Sequence, residues 1–205
     1  ELTYNLADLW EAVSDRVPDR EAIVCARRRV TYAQLEDGAN RLANHLTTAG
    51  VGPGDFVGCY LTNSVEFIEA LLACFKLRAV PINVNYRYVA DELRYLCADA
   101  DLRAIVHDAE FADRLAAVRP SLPDLGLALS VGDGGDYEDA LVAGSPERRE
   151  IQRSADDHYI VYTGGTTGMP KGVVWRQEDA FYACIGGGDP MRMAGPVSEP
   201  AQMVD

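Results

Sequence analysis

Tyr162-Thr163-Gly164-Gly165-Thr166-Thr167-Gly168-Met169-Pro170-Lys171-Gly172 packs four glycines, three threonines and one lysine into eleven residues. An apolar, β-prone segment, Tyr159-Ile160-Val161-Tyr162, leads into it, and Val173-Val174-Trp175 leads out. Glycines let the chain turn with positive φ and let amide N–H groups approach an anion closely. Threonine hydroxyls add donors, and a lysine adds a mobile point charge. Strand, Gly/Thr loop and lysine together predict a polyphosphate cradle. A surface turn without a ligand would not call for three threonines and a lysine.

The cradle is not of the commonest kinds. A Walker A loop sets Gly-Lys-Ser/Thr four residues after a first glycine. Here Met169 and Pro170 separate Gly168 from Lys171, and Gly172 stands where the hydroxyl residue belongs. The GxGxxG spacing of a dinucleotide fingerprint is missing too.

Outward from the loop, strand and helix patterns alternate, which predicts an α/β fold with substantial parallel pairing. Leu6, Leu9, Trp10 and Val13 recur at helical spacing behind Asn5. Residues 22–26 and 29–32 read as a hairpin around the basic tip Arg27-Arg28-Arg29, which is expected to be solvated. Thr31 and Gln34 form a capping box ahead of a helix whose apolar face is Leu35, Ala39, Leu42, Ala43 and Leu46. Asn63, with Glu66 three residues on, is expected to cap the next helix, whose stripe Phe67, Ile68, Leu71, Leu72 and Phe75 should lie on a sheet. Strands are expected at 56–61, 81–84, 103–106, 125–131 and 158–162. Further helices are expected at 91–98, 110–118, 136–143 and 178–185, with a polar connection over 144–155. Beyond Ile185 the periodicity stops, so 186–205 reads as a loop or disordered end.

The 205 residues carry a net charge of −13 and a pI near 4.6. Such a surface repels nucleic acid, so no nucleic-acid partner is expected. No apolar run reaches membrane-span length, and no secretory pattern opens the sequence. Cys25, Cys59, Cys74, Cys97 and Cys184 form no CxxC and no zinc spacing. They read as free, largely buried thiols in a reducing cytoplasm. His45, His107 and His158 are scattered and read as structural or surface residues. Trp175 reads as a packing aromatic.

The loop resembles the phosphate-binding signature of the acyl-adenylate-forming (AMP-binding) enzymes, which include acyl-CoA synthetases, peptide-synthetase adenylation domains and luciferases. Their usual pattern is Tyr-Thr-Ser-Gly-Thr-Thr-Gly-x-Pro-Lys-Gly, and this sequence departs from it at Gly164, where serine is usual. Thr31-Tyr32-Ala33-Gln34-Leu35, Val51-Gly52-Pro53-Gly54-Asp55, Val80-Pro81-Ile82-Asn83-Val84-Asn85-Tyr86 and Glu92-Leu93 resemble earlier blocks of the family, in its order. Trp175-Arg176-Gln177-Glu178-Asp179 is similar to a group of actinobacterial fatty-acyl and steroid-side-chain CoA synthetases; most of the family has Thr-His where Arg176-Gln177 stands.

The resemblance implies an acid–thiol ligase using ATP, Mg2+ and coenzyme A on a small-molecule carboxylic acid. Thr163, Gly164, Gly165, Thr166, Thr167 and Lys171 would hold the β- and γ-phosphates. It supplies no catalytic acid or base and no metal ligand in this stretch. The family's later aromatic motif with its magnesium glutamate, its ribose-binding aspartate and its small C-terminal domain with the adenylation lysine are missing. Residues 1–185 are therefore expected to be a partial amino-terminal AMP-binding domain, inactive by itself, that either self-associates or belongs to a longer chain. A nucleotide-binding module and a catalytically inactive relic of the same fold are the alternatives.

Overall fold

Amphipathic segments with explicit stop signals set the first half of the molecule. In the computed structural model, α1 (Leu6–Arg16) starts at Asn5, whose side chain accepts from the Ala7 amide at 2.9 Å. The structure describes residues 2–164, 169–191, 193 and 195–203. A hairpin, β1 (Glu21–Cys25) and β2 (Arg28–Thr31), leads to the expected Thr31/Gln34 capping box and to α2 (Tyr32–Thr48). The basic tip is only partly solvated: Arg28 pairs with Glu66, and Arg29 with Glu21.

Then follow β3 (Phe56–Tyr60), α3 (Val65–Leu77), β4 (Val80–Asn83), α4 (Ala90–Asp99), β5 (Leu102–Asp108) and α5 (Ala112–Val118). The chain continues through β6 (Leu127–Val131), α6 (Tyr137–Ala143), β7 (His158–Thr163), β8 (Lys171–Arg176) and α7 (Gln177–Cys184). Ser64, not Asn63, caps α3: its hydroxyl accepts from the Phe67 amide at 3.1 Å. Asn63 stands one residue too early, and Glu66 is drawn to Arg28 instead. Within 186–203 the described residues include one 3-10 turn, Pro200–Met203.

Among the described residues one sheet has the order β6-β5-β3-β4-β7-β8, and its neighbours run parallel except the antiparallel pair β7/β8. Both faces are covered, so β5 reads as a near-continuous apolar run. On one face Val57, Cys59, Ala104 and Val106 pack against α3, α2 and α6. On the other, Ile82, Leu102 and Ile105 pack against α4 and α5 through Leu93, Leu96 and Leu115. The β3/β5 register slips between Phe56 and Val57. That slip turns both Leu102 and Ile105 toward Gly58, where an added Cβ would meet them at 2.8 and 3.0 Å. Pro81 sits opposite Val57 of β3, and pairing with β7 begins only at Ile82, so the missing N–H breaks no rung on that side.

The expected apolar stripe of α3 is only part of its buried surface. Small residues, Ala70, Ala73 and Cys74, face the sheet-side cluster, while Leu72 packs toward the hairpin with Val30 and Leu35. Because α3 is wrapped on all sides, three charged residues are buried with it: Glu66, Glu69 and Lys76. Lys76 is 2% exposed, and its Nζ lies 2.6 Å from Glu11 and 2.8 Å from Glu36. The 144–155 connection pins this cluster from outside. Arg148 Nε meets Glu36 at 2.7 Å, and Arg153 meets Asp8 at 2.8 Å and Glu11 at 2.9 Å. Burial pushes the Glu11 carboxyl up, but the Arg153 and Lys76 partners outweigh it and hold its pKa below the ordinary range.

Candidate functional site

In the sequence the Gly/Thr run lies between β7 and β8. Thr163 ends β7, Lys171 begins β8, and the two are partners on the last rung of the ladder. Thr163, Gly164 and Lys171 are exposed. No carboxylate among the described residues pairs with Lys171. Gly165, Thr166 and Thr167, expected to complete the cradle, lie outside the described residues. The loop opens at the carboxyl end of a parallel strand, the edge at which open α/β sheets bind ligands.

One glycine of the run has a packing role. Gly172 is opposite Tyr162, and an added Cβ would come 3.1 Å from its ring. Tyr162 lies across that glycine and donates to Asp99 Oδ2 at 2.8 Å. Burial, then the Asp99 hydrogen bond, raises the Tyr162 pKa, so the phenol stays protonated.

The foot of β7 is held by one carboxylate that sequence reading missed. Asp157 receives Arg78 Nη2 at 2.8 Å and Asn5 Nδ2 at 2.9 Å. Its own carbonyl accepts from the Gln177 amide at 2.8 Å. Gln177, wholly buried, takes the Leu6 amide on Oε1 at 2.7 Å. Gln177 therefore ties α1 to the start of α7, while Arg176 pairs with Asp156 and Glu178. Trp175, expected to be a packing aromatic, is half-buried on the edge strand β8.

Beside the loop, the chain leaving β4 makes a tight turn. Arg87 N donates to Asn85 Oδ1, and Tyr88 N donates to the Asn85 carbonyl, both at 3.0 Å. Tyr60 Oη donates to the Tyr88 carbonyl at 3.1 Å, and Arg114 to the Tyr86 carbonyl at 3.0 Å. Among the described residues, Tyr88 Oη lies 4.0 Å from where a Cβ on Gly164 would stand.

Two other sets of titratable groups lie away from the loop. Glu69, against Gly38 of α2, accepts from Tyr137 Oη at 2.6 Å. Burial, only partly offset by that bond, pushes its carboxyl up to about 7. The cysteines are free as expected; Cys59, Cys74 and Cys97 are buried, Cys25 is half-buried and Cys184 exposed. Burial pushes the Cys59 and Cys97 thiols up to about 12, which leaves them unreactive. Among the described residues no group of three or more His, Cys, Asp or Glu could hold a metal ion, and no helix is long and apolar enough to cross a membrane.

Residues 10–199 match the family model of the AMP-binding enzyme. The chain is 50% identical over 197 residues to a 3-oxocholest-4-en-26-oate–CoA ligase of Rhodococcus rhodochrous, covering 91% of this chain and 35% of the relative. It is 49% identical over 198 residues to a medium/long-chain-fatty-acid–CoA/3-oxocholest-4-en-26-oate–CoA ligase of Mycobacterium tuberculosis (strain ATCC 25618 / H37Rv), covering 92% and 36%. The crystal structure of the anthranilate CoA ligase AuaEII with anthranoyl-AMP superposes with a TM-score of 0.86 at 26% identity, covering 92% of this chain and 38% of that one. The chain thus spans about a third of the length of the curated relatives it matches. A family model that covers nearly the whole chain, on the α/β architecture of such ligases, shows that the chain belongs to the AMP-binding enzyme family.

Proposed function

We propose that the chain forms the amino-terminal, phosphate-binding part of an ATP-dependent acyl-CoA synthetase. Residues 1–185 carry the partial AMP-binding domain. The carrying observation is the Thr163/Lys171 rung, which closes the Gly/Thr loop at the carboxyl end of a parallel strand. In the full-length enzyme a carboxylate attacks the α-phosphorus of ATP, releasing pyrophosphate, and coenzyme A then displaces AMP from the acyl carbon. Thr163, the loop amides at Gly164 and Gly165, Thr166, Thr167 and Lys171 hold the β- and γ-phosphates. Their contribution is positioning and charge stabilisation rather than proton transfer. Magnesium belongs to the reaction as a phosphate counter-ion; the described residues offer no cluster for it, so no protein ligand is assigned to it in this chain. The names of the relatives put medium- and long-chain fatty acids and 3-oxocholest-4-en-26-oate first among the acids to try. The unpaired thiols suit a reducing cytoplasm.

The test is Lys171→Ala in the full-length enzyme, assayed by ATP–pyrophosphate exchange with that acid panel. Loss of one preorganised donor to the departing pyrophosphate should slow exchange about a hundredfold. Lys171 is exposed, so unfolding should move by no more than about 0.5 kcal/mol. An unchanged exchange rate would refute the assignment.

A further inference from the structure

From the foot of β7 we infer that Asp157 and Arg78 are positioning residues: their ion pair sets where β7 stands along the sheet, and with it the height of Thr163 and Lys171. This rests on the phosphate role proposed above for Thr163 and Lys171. Two independent observations carry it. The first is how little of the sheet holds the β7/β8 hairpin. The hairpin has six residue pairs within itself, but among the described residues β7 meets β4 at only two, Ile82/Ile160 and Asn83/Val161. β8 is the edge strand and moves with its partner. Placement along so short a border falls to side chains. Near its head the strand is tied by Tyr162 to Asp99, and at its foot stands Asp157. Asp157 directly precedes β7, and Arg78 stands two residues before β4, so their pair bridges the amino ends of two neighbouring parallel strands. Arg78 Nε and Nη2 reach Asp157 Oδ1 at 3.0 and 2.8 Å, and Nη1 reaches the Gln152 carbonyl at 3.3 Å. The other carboxylate oxygen accepts from Asn5 Nδ2 at 2.9 Å and from the Ser154 amide at 3.3 Å. A planar guanidinium on a carboxylate fixes direction as well as distance.

The second observation is the residue type at 78. Arg78 ends α3 with φ 60° and ψ 18°, the left-handed conformation. Glycine is the ordinary residue at such a helix end, and a side chain there strains the backbone. The turn itself is firm: the Arg78 amide donates to the Phe75 carbonyl at 3.2 Å, and its carbonyl accepts from the Gly54 amide at 2.9 Å. With its side chain about a third exposed, the arginine adds little stability through its ion pair. What it supplies that glycine cannot is a rigid link from the start of β4 to the start of β7. Backbone strain kept for a positional contact marks a functional constraint. β7 is an extended run of six residues, so a displacement at its foot is carried to Thr163 at its end. A misplacement on the order of 1 Å in groups that position a reacting substrate can slow a reaction about a hundredfold.

The experiment uses the full-length enzyme and reads kcat and the KM values for ATP and acid in pyrophosphate exchange. Arg78→Gly removes the link and also relieves the left-handed backbone, so the melting temperature should stay within about 3 °C of the parent. kcat should nevertheless fall about tenfold while KM for the acid holds, a split that a merely structural ion pair would not produce. Asp157→Asn should show the same fall in kcat. The double variant should lose no more than about twofold beyond either single one, because both remove the same link. Amide hydrogen exchange should quicken in β7 and β8 and stay at the parent rate in α2. Parent-like kcat in Arg78→Gly and Asp157→Asn, or losses that multiply in the double variant, overturns the inference. Exchange that quickens equally in α2 marks a general loosening and overturns it as well. Lys171→Ala, run alongside, separates the levels. Loss of pyrophosphate exchange there, with parent-like kcat in Arg78→Gly, leaves the phosphate reading standing and removes the Asp157 link alone; an unchanged rate in Lys171→Ala removes the reading itself.

Discussion

Replacing Glu69 by glutamine should make the protein more stable above pH 7 and remove a pH dependence. Glu69 is buried between α2 and α3, with Gly38 on one side and the Tyr137 hydroxyl on the other; Arg28, Glu66 and Glu138 are the charged groups near it. Its folded pKa is raised from 4.5 to about 7. A carboxyl raised on folding binds its proton more tightly in the native state than in the unfolded one. Stability is therefore undiminished below pH 4.5, falls as pH rises toward 7, and levels off above it. At about 1.36 kcal/mol per pKa unit, the displacement corresponds to a loss of about 3 kcal/mol. Glutamine keeps the acceptor for Tyr137 and has no proton to lose. Urea unfolding of parent and Glu69→Gln, measured on the same polypeptide at pH 4.5, 6 and 8, should show the stability difference moving in favour of the variant by about 3 kcal/mol across that range. Distant groups cancel in this difference; Glu66 and Glu138, being close, will broaden the transition. Parallel pH profiles for the two proteins would refute the reasoning.

Lys76→Met should destabilise by about 2–3 kcal/mol, at or below the usual 3–5 for breaking a buried ion pair. The reason is that Glu11 keeps Arg153 and Glu36 keeps Arg148 after the change; thermal melting would check it, and a loss well above 5 would mean that the arginines do not compensate. The 205-residue chain studied alone should self-associate in sedimentation velocity, because β8 is an edge strand with Val173 and Val174 exposed, and Trp10, Phe75, Phe181 and Ile185 line an open apolar groove. A monodisperse, cooperatively unfolding monomer would contradict that.

Local rules carried most of the fold. The caps at Asn5 and Thr31, the α2 face and the strand feeding the loop follow from spacing within a few residues, and each is found where expected. The candidate site is a motif, a Gly/Thr/Lys run whose proposed chemistry is argued without reference to distant residues; the structure adds the Thr163/Lys171 rung at its base. What escaped was set by sequence-distant partners. Lys76 and Glu69 read as the polar side of an amphipathic helix, and nothing local says that α2, the hairpin and the 144–155 connection close over them. Asp157 draws its partners from residues 5 and 78. The Ser64 cap was missed by one residue, since two adjacent polar residues offer the same signal and only backbone conformation chooses between them.

The place of Pro81 has a consequence for the growing polypeptide. As the chain emerges from the ribosome, β3 to β6 can assemble before residue 158 exists, and β4 is then an open border awaiting β7. At roughly 5–20 residues per second, that border stays open for several seconds. A strand of four residues with a proline in it makes a poor template for another chain, because one amide along the border has nothing to offer. β7 later pairs only with Ile82 and Asn83, beyond the proline. The residue that shortens the finished ladder thus also guards the nascent sheet against joining the wrong neighbour.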